Sequence, residues 1–508
     1  MPLIHDADAL HPTSAPPVAP TRLDAIAELT SGRLLAPGAA RSQTVTDVTH
    51  DSQQAGPGVL FACRPGAHAD GHDFAPDAIE RGSPALLVER QLDLPVPQVR
   101  VDSVADRLGS VAAAVHGDPT RQLTVAGVTG TNGKTTCAML LEAVLADAGP
   151  TGLIGTVVTR IGGEEVAGVR TTPEATDLQR LFRRMLVAGV RSVAMEVSSH
   201  GLALGRANGT RFAVALFTNL THDHLDFHGS MEDYFAAKAR LFTRQLSAAA
   251  VINVDDPWGM RLAGEATVPV TTVSSGPVTD ADIIATGITA EATRSRLTVR
   301  VHSTPLELDI GMPGGFNASN ALMVLAAADV LGVDHAVVVE SLRDPPVVPG
   351  RMERIDEGQP FTVLVDYAHS PDALTRVLAA AHEIVHGRVI VVVGCGGDRD
   401  QQKRPAMGAA AVTGADHAFF TNDNPRSEDP AVILEAMVSG ARSAAGGRWT
   451  VEPDRRAAIA AALAAAEPGD AVVVAGKGHE TGQQLGDRTV PFDDREVTRT
   501  LLREKAGT

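Results

Sequence analysis

The chain is poor in cysteine, in aromatic residues and in positive charge, and each deficit excludes something. Its three cysteines, Cys63, Cys137 and Cys395, stand far apart among 508 residues and form no C-x-x-C pair. They argue against a disulfide scaffold and for a reducing compartment, so a cytoplasmic location is expected. Aromatics make up 3% of the chain against 44% apolar residues, so the cores should be built from Ala, Val, Leu and Ile. The 44 basic residues face 61 acidic ones, a formal charge of −17. That balance disfavours nucleic acid and anionic membrane surfaces as partners but leaves room for a local basic site. No run is long and apolar enough for a membrane span to be expected. Neither a G-x-S-x-G elbow nor an H-R-D with D-F-G set occurs, so serine-hydrolase and protein-kinase chemistry have no support.

What the chain does have is a glycine-rich turn, Gly127-Val128-Thr129-Gly130-Thr131-Asn132-Gly133-Lys134-Thr135-Thr136. It lies between an apolar strand candidate, Leu123 to Val128, and a helix-like run, Cys137 to Leu145. In such a turn, backbone N–H groups and a helix N-terminus face phosphates and the lysine adds a point charge. The threonine hydroxyl is placed to bind Mg²⁺. The usual G-x-x-x-x-G-K-[ST] spacing requires glycine at 128. This chain has Val128 and carries its glycine at 130, so the loop indicates nucleotide binding of a variant type.

Length and pattern predict three α/β domains. Residues 1–20, a Pro/Ala/Ser/His mixture, read as a mobile arm. A first domain is expected over 21–121 and a central one, with a mostly parallel sheet, over 122–346. A C-terminal Rossmann-like domain follows over 347–508, past the Pro345-Pro346 and Pro349-Gly350 linker. Near-continuous apolar runs such as Val389 to Val393 and Ala471 to Ala475 read as buried parallel strands, while Leu297 to Ile310 alternates as antiparallel strands do. The polar motifs share one placement: each follows a strand candidate. Ligands of open α/β sheets bind at the carboxyl ends of strands, so two sheets' motifs should meet across a cleft.

Single residues leave alternatives open. Glu196 either caps the next helix or binds Mg²⁺. His222-Asp223-His224-Leu225-Asp226-Phe227-His228 is either a hydrogen-bonded turn or part of a metal site. Tyr234, Phe235, Lys238, Leu241 and Phe242 share one helix face that should be buried. Lys238 there either snorkels to the edge or sits desolvated with a lowered pKa. A neutral lysine amine can add CO₂ to give an anionic carbamate. Arg399 and Arg426, both beyond C-terminal strands, form either surface ion pairs or a paired anion site. With Glu480 available for an ammonium group, such a site would suit an amino acid.

Together these motifs resemble the Mur ligases, the ATP-dependent amino-acid-adding enzymes of peptidoglycan synthesis. The resemblance rests on the phosphate loop, Glu196 to His200, Thr218 to Leu220, Asp223 to Asp226, Ala236-Ala237-Lys238 and Asp366 to His369. Glycine at 130 is that family's form of the loop. The resemblance implies that Gly130, Thr131, Asn132, Gly133, Lys134, Thr135 and Thr136 bind ATP, completed by Arg351 and Asp366. It implies one Mg²⁺ at Thr135 and Glu196 and a second metal at His224 and a carbamylated Lys238 (N6-carboxylysine). Catalysis would then rest on Lys134, Lys238, His224 and Glu196. Ser52, Ala67, His68 and Ala69 match a uridine-nucleotide site in the first domain. Thr171, Thr172, Ser198 and Arg206 match positions that hold a UDP-MurNAc-L-Ala-D-Glu dipeptide. Arg399, Asp423, Asn424, Pro425, Arg426, Gly476 and Glu480 match a meso-diaminopimelate site. Two positions depart from the pattern: Gln53 replaces a more usual arginine, and Leu204 stands where some relatives have glutamine. A lysine-adding ligase, a folylpolyglutamate synthase and a non-catalytic nucleotide switch are the competing readings.

Overall fold

The computed structural model describes residues 19–35, 42–66, 69–167, 170–291 and 293–506. The expected arm, 1–20, falls almost wholly outside these, as do Ala67 and His68.

Three sheets carry the described architecture. The first has five strands in the order Arg33–Leu35, Gln98–Arg100, Ala85–Val88, Val59–Ala62 and Asp47–Thr49, the last four parallel. The central sheet has eleven strands. Its middle is parallel and runs Thr151–Ile154, Ser192–Glu196, Thr124–Thr129, Val214–Phe217, Ala250–Asn253, Val270–Ser274 and Ile283–Ala290. Antiparallel strands close both edges, among them Ser295–Val301 and Thr304–Ile310, where alternation predicted them. The third sheet runs Glu353–Arg354, Thr362–Asp366, Ala471–Ala475, Val389–Val393, His417–Phe420 and Arg448–Val451, parallel except at its first pair.

In the central sheet, chain order reverses beside Thr124–Thr129. The next strand in sequence, Thr151–Ile154, lies two places away on one side, and Val214–Phe217 lies on the other. Such a reversal opens a crevice at the strands' carboxyl ends. The phosphate loop, Glu196 and Thr218-Asn219 all leave the sheet there.

The helix after the loop spans Lys134–Leu145, three residues earlier than its apolar run suggested, because Gly133 at φ +88° turns the chain directly into it. Nearly all its residues are buried, as expected of a helix covered on every side. The Ala-rich helix Gly315–Val330 packs against it, and small side chains let the two approach closely. The first sheet is tied to the central unit by Arg180, which is 2% exposed and donates to both carboxylate oxygens of Asp47 at 3.1 Å. Arg64 adds an ion pair to Glu174 at 3.0 Å.

Candidate active site

The phosphate loop is built around two glycines. Gly130 has φ +150°, and a Cβ there would lie 1.9 Å from the Thr218 hydroxyl, which donates to Asn132 O at 2.6 Å. A Cβ on Gly133 would meet Asn320 Oδ1 at 2.5 Å. Val128 is fully buried within the strand, which continues to Thr129. The turn therefore begins at 130, and the off-pattern spacing follows from where the strand ends. Asn219 fixes the loop from the neighbouring strand: its carbonyl accepts from Thr131 N at 2.9 Å and its side chain from Asn132 N at 3.0 Å.

Around this loop lies a cleft of about 620 Å³, walled on one side by the central sheet and on the other by the third sheet's first loop and helix. Thr131, Asn132, Gly133, Lys134, Thr135, Thr136, Glu196, His224, Lys238, Arg351 and Asp366 all line it, as do Thr171 and Ser198. Lys134 Nζ donates to Gly130 O at 2.9 Å and Thr131 O at 2.7 Å. Glu196 is 1% exposed, and its carboxylate accepts from Thr135 Oγ1 (3.0 Å), Thr156 N (2.8 Å) and Thr156 Oγ1 (3.1 Å). It has no ion-pair partner among the described residues. It caps no helix; Ser198 caps the next one, accepting from Gly201 N.

Lys238 does not snorkel. It is 1% exposed among the buried Tyr234, Phe235, Leu241 and Phe242. Its Nζ donates to Gly130 O at 2.8 Å and lies 4.7 Å over the Tyr234 ring. Desolvation, then the Lys134 cation, push its pKa well below the ordinary lysine value. The His222–His228 segment divides. His222 is exposed and faces Asp400, His228 Nε2 meets Ser199 Oγ at 2.9 Å, and His224 sits on the cleft wall. Burial there, opposed by Asp223 but helped by His200, Lys134 and Lys238, lowers the His224 pKa and keeps the imidazole neutral.

Arg351 crosses the cleft from the linker. Its Nη2 donates to Thr135 Oγ1 at 3.2 Å, and its guanidinium lies 4.4 Å over Tyr367. Asp366 is a brace: its oxygens accept from Met352 N and Ala368 N at 2.7 and 2.8 Å. Thr172 Oγ1 accepts from Ser198 N at 2.9 Å, and Arg206 pairs with Glu174 at 2.8 Å while donating to Thr172 O. Thr172, Ser198 and Arg206 thus form one connected group, and the adjacent Thr171 bonds Thr156 Oγ1 at 3.0 Å. Ser52 starts a short turn capped by the Asp51 side chain, and Ala69 follows the neighbouring strand of the first sheet. Both lie in the segments that follow strands of that sheet, and neither lines the cleft.

A second polar centre occupies the carboxyl ends of the third sheet. Asn424 Nδ2 donates to Glu480 Oε2 at 2.8 Å. Arg426, at φ +54°, is half-buried and donates to Gly397 O at 2.5 Å. Asp423 and Pro425 are buried beside it, and a Cβ on Gly476 would meet Asp423 Oδ2 at 2.8 Å. Arg399 lies exposed on the adjacent Gly394–Asp400 turn. These residues do not line the 620 Å³ cleft but adjoin it, since the Tyr367 ring in the cleft wall contacts His479 at 5.1 Å.

Residue-by-residue reading missed Thr156, which holds Glu196 through two hydrogen bonds, and Asn320, which backs Gly133. Asn317 and Asn320 are buried polar residues on an otherwise apolar helix, and that pattern was the available signal. Asp372 reaches Asn132 at 3.3 Å across the cleft, and nothing in local sequence marks it.

A glycine-rich loop on the central sheet and a polar pocket on the third sheet, joined by a linker arginine, make two polar centres at the carboxyl ends of α/β sheets. Family models agree: a Mur ligase family catalytic-domain model matches residues 44–117, a Mur ligase middle-domain model 128–328, and a Mur ligase glutamate-ligase-domain model 350–478. A Streptomyces coelicolor protein named UDP-N-acetylmuramoyl-L-alanyl-D-glutamate–2,6-diaminopimelate ligase is 48% identical over 92% of this chain and 94% of its own. A Geobacillus thermodenitrificans protein of the same name is 45% identical over 90% and 94%. A solved structure of a ligase with that name superposes with a TM-score of 0.71 at 30% identity, covering 96% of this chain and all of its own. A Thermotoga maritima MurF ligase in complex with ADP shares the fold at 18% identity, with a TM-score of 0.58 over 91% and 96%. The chain belongs to the Mur ligase family.

Proposed function

We propose that this chain joins meso-2,6-diaminopimelate to UDP-N-acetylmuramoyl-L-alanyl-D-glutamate with ATP, giving the UDP-muramoyl tripeptide, ADP and phosphate of peptidoglycan synthesis. The observation that carries this reading is the second polar centre beside the phosphate cleft, where Asn424 bonds Glu480 and Gln484 links the two ends, its N donating to Asn424 Oδ1 and its O accepting from Arg426 N. It offers a carboxylate for an ammonium group and an arginine for the distal carboxylate that distinguishes diaminopimelate from lysine.

The reaction has two steps. The γ-phosphate of ATP passes to the D-Glu side-chain carboxylate, giving an acyl phosphate and ADP. The diaminopimelate amine then attacks the acyl carbon, and phosphate leaves from the tetrahedral intermediate. No protein nucleophile is needed; the protein positions the reactants and stabilises charge. Gly130, Thr131, Asn132, Gly133 and Thr136 cradle the phosphates, Lys134 meets the terminal ones, and Arg351 brings the third sheet onto the site. Thr171, Thr172, Ser198 and Arg206 hold the dipeptide. Ser52 and Ala69, with Ala67 and His68, which lie outside the described residues, hold the uridine nucleotide. Arg399, Asp423, Asn424, Pro425, Arg426, Gly476 and Glu480 hold diaminopimelate.

Buried carboxylates are normally paired or bound to metal. Among the described residues Glu196 has hydroxyl and amide hydrogen-bond partners and no ion pair, and with Thr135 it makes a hard oxygen set suited to Mg²⁺. The neutral His224 imidazole and Lys238, whose pKa burial lowers, would suit a second metal if the Lys238 amine added CO₂, releasing a proton and leaving a carbamate. Bound Mg²⁺ would neutralise charge on the transferring phosphate. The three buried free cysteines and the use of ATP fit a cytoplasmic setting.

The test follows the transferred atom. A dipeptide carrying heavy oxygen in the D-Glu side-chain carboxylate should deliver one labelled oxygen to the released phosphate. Unlabelled phosphate would exclude the acyl phosphate, and no phosphate release at all would favour a non-catalytic nucleotide binder.

A further inference from the structure

Lys477 is fully buried, yet its Nζ makes three hydrogen bonds: to Asn424 Oδ1 at 3.1 Å, Glu480 Oε2 at 2.9 Å and Gly482 O at 2.7 Å. An ammonium has three donors, so this lysine has none left for a ligand. Its bonds settle the orientation of its neighbours. Asn424 Oδ1 also accepts from Gln484 N at 2.9 Å, which leaves Asn424 Nδ2 to donate to Glu480 Oε2. Glu480 Oε2 therefore takes two bonds. Oε1 takes none among the described residues, and the side chain is 32% exposed. One carboxylate oxygen is pinned inward and the other is turned out.

We propose that Lys477 is a positioning residue for amino-acid selection: it fixes Glu480 and the Asn424 carboxamide so that Glu480 Oε1 is presented to the ammonium group of the incoming amino acid. This deepens the reading of the second centre as the diaminopimelate site and rests on it. The lysine also anchors Gly482, the first residue of the hairpin strand Gly482–Leu485. The backbone of that strand meets Arg426, as Gln484 O accepts from Arg426 N at 3.2 Å. One buried ammonium thus sets the Glu480 end of the pocket directly and supports the Arg426 end through the hairpin.

Steady-state kinetics on Lys477→Met, Glu480→Gln and the double variant test this. Lys477→Met should raise the KM for diaminopimelate at least about tenfold, while the KM values for ATP and the UDP-dipeptide stay within about twofold. The losses of Lys477→Met and Glu480→Gln should not add, because one acts through the other. Lys477→Gln, which keeps a donor, should restore part of the loss and serves in its place should the methionine variant not fold. Equal rises in all three KM values, or additive losses, would overturn the proposal. An unchanged diaminopimelate KM in Glu480→Gln would instead overturn the assignment of the site. A large effect there with none from either Lys477 variant would overturn only the role of Lys477.

Discussion

Lys134 and Lys238 donate to the same atom, the carbonyl oxygen of Gly130, at 2.9 and 2.8 Å. Two ammonium groups on one acceptor repel, and both pKa values are lowered, by burial first. Lys238 is the more deeply enclosed and Lys134 opposes its charge. The loop therefore favours a neutral amine at 238, which is what addition of CO₂ requires.

Lys238→Arg keeps the reach, places a fixed positive charge at 238 and has no amine able to form the carbamate. Its kcat should fall at least about 10²-fold. The unmodified protein should lose activity in CO₂-free buffer and regain it with bicarbonate, whereas the variant should not respond. Near-normal turnover by the arginine variant would remove the carbamate from the mechanism.

Arg351 joins the third sheet to the phosphate loop through Thr135 and is braced by the Tyr367 ring. Arg351→Ala should lower kcat/KM for ATP roughly 10- to 100-fold. Lysine cannot reproduce both the stacking and the directed N–H bond, so Arg351→Lys should recover little. ATP kinetics at saturating co-substrates read this, and full recovery by lysine would reduce Arg351 to a point charge.

His479 provides a pH test of the same junction. Burial, then the Arg351 and Arg495 cations, lower its pKa to about 3, and its Nδ1 has no hydrogen-bond partner among the described residues. An unfolded histidine titrates near 6.5. Between those values the unfolded chain binds a proton that the folded protein refuses, so stability falls as pH drops from about 6.5 toward 3. At pH 5 the loss is roughly 2 kcal/mol. Hydrogen exchange of the strand Ala471–Ala475 should show protection falling from pH 7 to pH 5 in the parent and falling less in His479→Gln. Parallel losses would show that His479 is not the group responsible.

Much of this was legible in sequence because buried parallel strands announce themselves. Val389–Val393 and Ala471–Ala475 have the bounds their apolar runs suggested. Motifs after such runs had to fall at the sheets' carboxyl ends. The burial of the helix face that carries Lys238 followed from helix spacing, but the choice between a snorkelling and a buried lysine did not, since Gly130 and Lys134 come from a distant segment. Arg351 on Thr135 and Asn132 on Asp372 join residues more than 200 positions apart, and no local pattern encodes such pairs. Lys477 stands between Gly476 and Glu480, yet its role shows only once its bonds to Asn424 and Glu480 are seen.

Arg426 is expected to meet the distal carboxylate of diaminopimelate. Arg426→Ala should cut kcat/KM for diaminopimelate by about 10²-fold or more and leave the poor rate with lysine nearly unchanged. Unaltered diaminopimelate kinetics would place the distal carboxylate elsewhere.

The most direct test of the central claim is a paired assay of the purified protein with ATP, Mg²⁺ and UDP-N-acetylmuramoyl-L-alanyl-D-glutamate, given either meso-diaminopimelate or L-lysine. Phosphate release coupled to tripeptide formation should favour diaminopimelate by roughly 10³-fold or more in kcat/KM, because lysine lacks the distal carboxylate that the half-buried Arg426 would meet. Equal use of the two amino acids, or turnover with lysine alone, would contradict the account.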